Sequence, residues 1–231
     1  MGQIFKTVLT QPLLHLLIFF YNFIPFHDLG VAIILLTIVV RLILFPFSRL
    51  SLKSQKAMQE IQPKLEEIKK KYAGNREGQA KAMMNLYKEN KVNPFSSCLL
   101  LLIQMPILIA VFQVLRVGVA NSSLNLIAFG FLNLTRTNIF LALVTAVFQY
   151  FQMKTLPTAK PEPVFVKKDG AKDENMAATM NKQMKVMMPF LTLVMGMTLP
   201  SGLMLYWLVG LLFSMLEQKL IVRHESPKIG L

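Results

Sequence analysis

The sequence predicts an all-α, polytopic membrane protein. It would have five transmembrane helices, a cytoplasmic helical hairpin and an N-terminal interfacial helix. Three observations predict this. Of 231 residues, 54% are hydrophobic and only 16% are Asp, Glu, Lys or Arg, against about 25% charged residues in a typical soluble domain. The apolar residues collect in blocks close to the roughly 20 residues that span a bilayer. The 25 Lys and Arg outweigh 12 Asp and Glu to give a net charge of +13, and most of the basic residues lie between the blocks.

The elements follow in order. Residues 1–27 contain an apolar run from Phe5 to Phe26, interrupted by Gln11, Pro12, His15 and Asn22. The run follows Lys6, as in a signal peptide, but no Ala-x-Ala cleavage pattern closes it. Its mixed polarity fits an amphipathic helix lying in the interface, with a sixth span as the fallback. Residues 28–49 form the first span, whose apolar run Leu29–Phe47 carries one charge, Arg41. Residues 50–92 form the cytoplasmic hairpin. Residues 93–116 form the second span, uncharged from Pro94 to Leu115. The extracytoplasmic segment 117–136 is fairly apolar and is expected to form an interfacial helix. Residues 137–154 form the third span, and 155–183 a cytoplasmic loop with Pro157, Pro161, Pro163 and Gly170. The block Val186–Ile221 is too long for one span. Leu199-Pro200-Ser201-Gly202 is a turn signal, so 184–222 reads as the fourth and fifth spans in a hairpin. Residues 223–231 form a short cytoplasmic tail.

Charge sets the orientation. Arg49–Lys91 holds 11 of the 25 Lys and Arg, Lys154–Lys185 holds 7, and the tail from Glu217 holds 3. Five spans put these segments on one side, which the positive-inside rule makes cytoplasmic. The N-terminus is then outside and the C-terminus cytoplasmic. Membrane topology thus accounts for the charge, and no DNA partner is expected. A ribosome surface suits so basic a segment.

The hairpin carries its own apolar seam. Met58, Ile61, Leu65, Ile68 and Tyr72 recur at 3-4-3-4 spacing, the pattern of one helix face. Pro63 should kink or break the first helix, and Gly74-Asn75 punctuates the chain. Ala80, Met83 and Tyr87 repeat the spacing on a second helix. Met58, Met83 and Met84 are candidate contacts for a guest chain, because methionine adapts to irregular partners. Ordinary packing competes with that reading.

Arg41 is the most informative residue. An arginine near the bilayer centre costs roughly 2.5–3.5 kcal/mol on insertion scales. Ser48 lies seven residues on, about 10 Å along a helix, too far for easy snorkelling. Thr37 and Ser48 share its face. Asn138, Thr145, Gln149 and Gln152 share a face of the third span. Gln104 and Gln113 point to opposite sides of the second, and Gln104 is the deeper. Trp207, Gly210, Ser214 and Glu217 form a stripe on the last. For each residue alone, interhelical hydrogen bonding is the simpler account. Together they suggest a hydrated groove, lined by Arg41, Thr37, Gln104, Asn138, Thr145, Gln149 and Trp207. No Asp or Glu is expected deep enough to pair with Arg41, so the groove should attract acidic residues of a guest.

Enzyme chemistry finds no support. Gly-x-Ser-x-Gly, His-Glu-x-x-His and P-loop patterns are missing. Cys98 is the single cysteine, and His15, His27 and His224 are far apart. No metal and no cofactor is expected.

The run Gly30-Val-Ala-Ile-Ile-Leu-Leu-Thr-Ile-Val-Val-Arg41-Leu-Ile-Leu-Phe-Pro46 resembles the first core helix of YidC-type membrane protein insertases. Lys53-Ser-Gln-Lys-Ala-Met58, Ile61-Gln-Pro-Lys-Leu65 and Lys71-Tyr72 resemble that family's cytoplasmic hairpin. Leu86-Tyr-Lys-Glu-Asn90, Val92-Asn-Pro94, Gln104-Met-Pro106-Ile, Pro200-Ser-Gly202-Leu and Leu205-Tyr-Trp207 continue the match. The pieces occur in the family's order from about residue 29 to 222. The resemblance implies insertion of client transmembrane segments into the bilayer, alone or with the Sec translocon, and help with their folding. It implies that Arg41 is the groove arginine, that the hairpin recruits nascent membrane protein clients, and that the chain lies in the inner or plasma membrane of a prokaryote. The chain looks like the short form, without a large extracytoplasmic domain. Its tail is too short for strong ribosome binding through the tail. The alternative is a small transporter or channel that binds an anionic solute at Arg41, but the internal repeats common in transporters are not evident.

Overall fold

The structure is a computed structural model, and it describes residues 2–93, 96–118, 124–155 and 186–224. The predicted loop 155–183 beyond Thr155, the tail beyond His224, the start of the fourth span and residues 119–123 lie outside the described residues.

The described chain is mostly helical. A first helical stretch runs through α1 (Gly2–Phe5), a π turn (Lys6–Thr10) and α2 (Gln11–Phe23). It is followed by α3 (Leu29–Glu60), α4 (Gln62–Lys71) and α5 (Arg76–Glu89). Then come α6 (Ser96–Gln113), which ends in a π turn (Val114–Gly118), and strands β1 (Ile127–Ala128) and β2 (Leu132–Asn133). Helices α7 (Ile139–Thr155), α8 (Val186–Gly196) and α9 (Ser201–His224) complete it.

Among the described residues, three helical stretches are long and apolar enough to cross a membrane: Gln3–Phe23, Leu29–Glu60 and Ser201–Ile221. The predicted second, third and fourth spans contain shorter apolar helices, Leu102–Arg116, Ile139–Thr155 and Val186–Gly196. Large apolar side chains such as Leu42, Ile43, Leu102, Phe140, Phe190 and Leu216 face outward. So much exposed apolar surface is foreign to a soluble monomer and suits a lipid solvent.

Helix α3 organises the bundle. Its buried residues recur at three- and four-residue intervals: Leu29, Ala32, Ile33, Leu36, Thr37, Val40, Leu44, Ser48. That stripe packs against α6 and α9, around a core that includes Leu17, Leu29, Ile33, Leu36, Val111 and Tyr206. At 32 residues, α3 is about 48 Å long, well beyond the roughly 30 Å hydrocarbon layer. The first span and the first arm of the hairpin are therefore one helix, running through Pro46 without a break.

The hairpin breaks where proline and glycine predict. Helix α3 stops at Glu60, and Pro63 falls in the first turn of α4, where its missing N–H costs nothing. Gly74 turns the chain at φ 86°, and the Asn75 side chain caps α5 by accepting from Gly78 N–H at 2.9 Å. Ile61, Leu65, Leu86 and Val92 form a small separate core.

At the other end, the apolar segment expected to be an interfacial helix contains a two-stranded antiparallel hairpin in its described part, with Ala128 opposite Leu132. Phe129 and Gly130 both adopt positive φ, 54° and 79°, and Phe131 N–H closes the turn onto the Ala128 carbonyl at 3.2 Å. That turn geometry favours strands over a helix. The hairpin sits on the start of α3. A Cβ at Gly30 would come within 2.6 Å of the Ala128 Cβ. Asp28 joins the two elements. Its Oδ1 accepts from Gly30 and Val31 N–H at 2.7 and 3.1 Å, and its Oδ2 accepts from Phe129 N–H at 2.6 Å.

Asp28→Ala is expected to cost about 1–3 kcal/mol, because a cap and a charge-assisted bond are lost together. Asp28→Asn should keep most of the cap. Thermal unfolding in detergent, with limited proteolysis of the 124–138 segment, checks both.

Candidate functional site

The site grows from the α3–α9 interface. The guanidinium of Arg41 lies over Gly210, where an added Cβ would meet Nη2 at 2.6 Å, Nε at 3.2 Å and Cζ at 3.3 Å. Two turns further along each helix, the buried Ser48 hydroxyl neighbours the buried Glu217 carboxylate without closing a hydrogen bond to its Oε1. Both pairs have the same sequence offset, so α3 and α9 run parallel and in register. Only a residue without a side chain at position 210 leaves room for the arginine where it lies.

Polar groups surround this contact. Tyr206, one turn before Gly210 and 1% exposed, lies near Arg41. Its hydroxyl accepts a long hydrogen bond, 3.4 Å, from the Gln104 amide of α6. Glu217, 3% exposed, carries the opposite charge within electrostatic range of Arg41. Among the described residues, four buried side-chain polar atoms have no hydrogen-bond partner: Arg41 Nε, Ser48 Oγ, Gln104 Oε1 and Glu217 Oε1. Orphaned polar atoms are uncommon in packed interiors. Here they lie along the α3–α9 interface and on α6, from the level of Tyr206 to that of Glu217.

The predicted site residues divide into groups. Arg41 and Gln104 come together through Tyr206. Trp207 is half-buried and one turn from Gly210, on the same side of α9. Thr37 and Thr145 are fully buried, but their hydroxyls donate to carbonyls of their own helices, Ile33 at 2.6 Å and Leu141 at 2.7 Å. Asn138 caps α7, accepting from Leu141 N–H at 3.0 Å. Gln149 joins a seam between α7 and α9. Its amide donates to Gln152 at 3.2 Å, Gln152 donates to Ser214 at 2.9 Å, and Thr155 donates to Gln218 at 2.9 Å. Gln113, the residue not chosen on α6, accepts from Thr10 of the first helical stretch at 3.1 Å. In the hairpin, Met58 and Met83 pack against the small core, whereas Met84 is 56% exposed. Among the described residues, no cluster of three His, Cys, Asp or Glu could hold a metal.

One expectation is corrected. Glu217 does lie deep enough to act on Arg41, so the arginine is not surrounded by neutral groups alone. It was visible in the α9 stripe, but its position near the apparent end of the span hid its depth. The parallel register with α3 brings it beneath Ser48. Tyr206 and Gly210 were also missed as site residues. The spacing of 206, 210, 214 and 217 was the signal that could have found them.

The sequence matches the family model described as 60Kd inner membrane protein over residues 19–228. Among curated relatives, the membrane protein insertase YidC of Geobacter metallireducens is 31% identical over 93% of this chain and 37% of that protein. The protein of the same name from Shewanella halifaxensis is 36% identical over 95% of this chain and 38% of its own length. The one from Fusobacterium nucleatum is 35% identical over 86% of this chain and 88% of its own length. The chain thus spans little more than a third of the first two and most of the third. A solved structure described as an active YidC insertase with its first transmembrane domain resolved superposes with a TM-score of 0.63 at 28% identity, covering 96% of this chain and 46% of that one.

The two kinds of polar residue should respond differently. Thr37→Val is expected to change stability by less than about 0.5 kcal/mol, because its hydroxyl only bonds back to its own helix. Gln152→Ala should cost about 1–2 kcal/mol, because it severs the link to α9 and strands Gln149. Unfolding of both variants in detergent gives the comparison.

Proposed function

We propose that this chain, which belongs to the 60Kd inner membrane protein family, inserts transmembrane segments of client proteins into the lipid bilayer and chaperones their folding. The observation that carries the reading is Arg41, partly buried beside Gly210 and Tyr206 and next to orphaned polar atoms on three helices. Such a place can shelter the polar, acidic part of a client. Meanwhile the client's apolar segment slides along outward-facing apolar side chains into lipid. No covalent step is needed, because moving apolar client surface out of water supplies the free energy.

In this reading Gln104, Gln149 and Trp207 line the groove beside Arg41, and Thr37, Thr145 and Asn138 shape its walls. The cytoplasmic hairpin recruits nascent clients, with Met84 as its adaptable contact and Met58 and Met83 behind it. The chain works alone or with the Sec translocon, and the basic hairpin faces the ribosome. Five helices cross the membrane of a prokaryotic cell, with the N-terminus outside and the C-terminus in the cytoplasm. The first helical stretch lies in the outer interface. Two tethers support that placement although the stretch is long enough to span. Thr10 bonds Gln113 near the end of α6, and Tyr21 accepts from Asn125 N–H just beyond α6, at 3.1 Å. Both therefore attach it to the same end of the bundle.

The test is reconstitution of the purified chain in liposomes with a single-span client carrying a short acidic outer tail. Protease protection reports insertion. Wild type is expected to insert the client, Arg41→Ala to lose at least tenfold in rate while still folded, and Thr37→Val to stay near wild type. Equal insertion by Arg41→Ala would remove the arginine from the mechanism. Solute flux without insertion would replace the insertase reading altogether.

A further inference from the structure

We propose that Glu217 is the resident counter-ion of Arg41, and that an acidic client residue enters the groove by competing with it. The inference rests on the insertase reading and adds a specificity-determining residue to it. Glu217 and Ser48 are almost completely buried, at 3% and 1% exposure. They sit two turns below the contact between Arg41 and Gly210 on the parallel α3–α9 pair. Other basic residues at this end of the helices, Arg49, Lys154 and Lys219, are exposed. The neighbouring face of α7 presents the neutral groups Gln149, Gln152 and Thr155, which are engaged with one another, with Ser214 or with Gln218.

The pair is loose. Arg41 Nε and Glu217 Oε1 each remain without a hydrogen-bond partner, so the two charges attract through space rather than closing a forked bridge. A buried charge left alone is strongly destabilising, and a partner of opposite sign offsets that cost. A loose partner does so without filling the arginine's donors. The unpaired Nε is left for a second carboxylate, which must outbid Glu217 for the same charge. Glu217 thereby sets how acidic a client must be to engage Arg41.

Two measurements test this. The first is a double-mutant cycle on the unfolding equilibrium in detergent, using Arg41→Gln, Glu217→Gln and the double variant. The double variant is expected to be at least fivefold more stable than the product of the single effects, because removing both charges leaves neither stranded. Simple multiplication of the two effects would overturn the pair. The second compares liposome insertion of two clients that differ by one Asp or Asn in the translocated tail. Glu217→Gln is expected to raise the Asp-to-Asn insertion ratio at least threefold, and this gain should vanish in the Arg41→Gln background. An equal effect on both clients, or a gain that survives without Arg41, would overturn the competition. If wild type inserts neither client, the insertase reading fails and the competition falls with it. The unfolding cycle still decides the pair on its own.

Discussion

An arginine held between two apolar helices is the constraint on which the rest depends. The guanidinium cannot be left in hydrocarbon, so the surrounding helices must supply space, polar company and access to water. Gly210 supplies the space by having no side chain where Nη2 lies. Tyr206 and Gln104 supply polar company from α9 and α6. The parallel register of α3 and α9 adds Ser48 and Glu217 two turns away. The hydrogen-bonded seam from Gln149 to Gln218 then holds α7 against α9.

That register is fixed at the far end of the bundle. Helix α9 begins at Ser201 with its first N–H groups aimed at the loop after β2. Ser201 N–H donates to Arg136 at 2.8 Å, and Gly202 N–H donates to Leu134 at 2.9 Å. These bonds satisfy donors that a helix start otherwise leaves orphaned. The Ser201 hydroxyl also donates to the Asn133 carbonyl. Asp28 anchors the start of α3 to the same small hairpin through Phe129. One short structure thus sets the level of two long helices, and Gly30 and Gly202 let it approach closely. The residues that position Arg41 and Glu217 therefore include some that lie far from both.

The opposite end follows a different logic. Because α3 continues unbroken to Glu60, the helix that carries Arg41 extends directly into the first part of the hairpin, up to the break before α4. The hairpin's own small core centres on four buried apolar residues, Ile61, Leu65, Leu86 and Val92. Ser54 ties it to the chain entering α6 by donating to the Asn93 carbonyl at 3.0 Å. The hairpin and the Arg41 site therefore share one backbone element, α3.

Much of this was written in local sequence. The apolar blocks, the basic segments between them, Pro63, Gly74-Asn75 and Pro200-Ser201-Gly202 each act within a turn or two of their own position. They determined the helices, the breaks and the membrane character. Arg41 stood out because one charge in an apolar run is costly wherever the helix lies. What depended on neighbours distant in sequence was not legible there. The segment before α7 forms a strand hairpin, although its apolar composition alone suggested a helix. Thr37, Thr145 and Asn138 look like groove groups by spacing, yet each bonds within its own helix. Glu217 looks like an end-of-helix charge, and only the parallel alignment of α3 with α9 brings it under Ser48 and within reach of Arg41. Periodicity tells which residues share a face. Which face meets which, and at what height, is decided by packing and by the contacts that cap the helix ends.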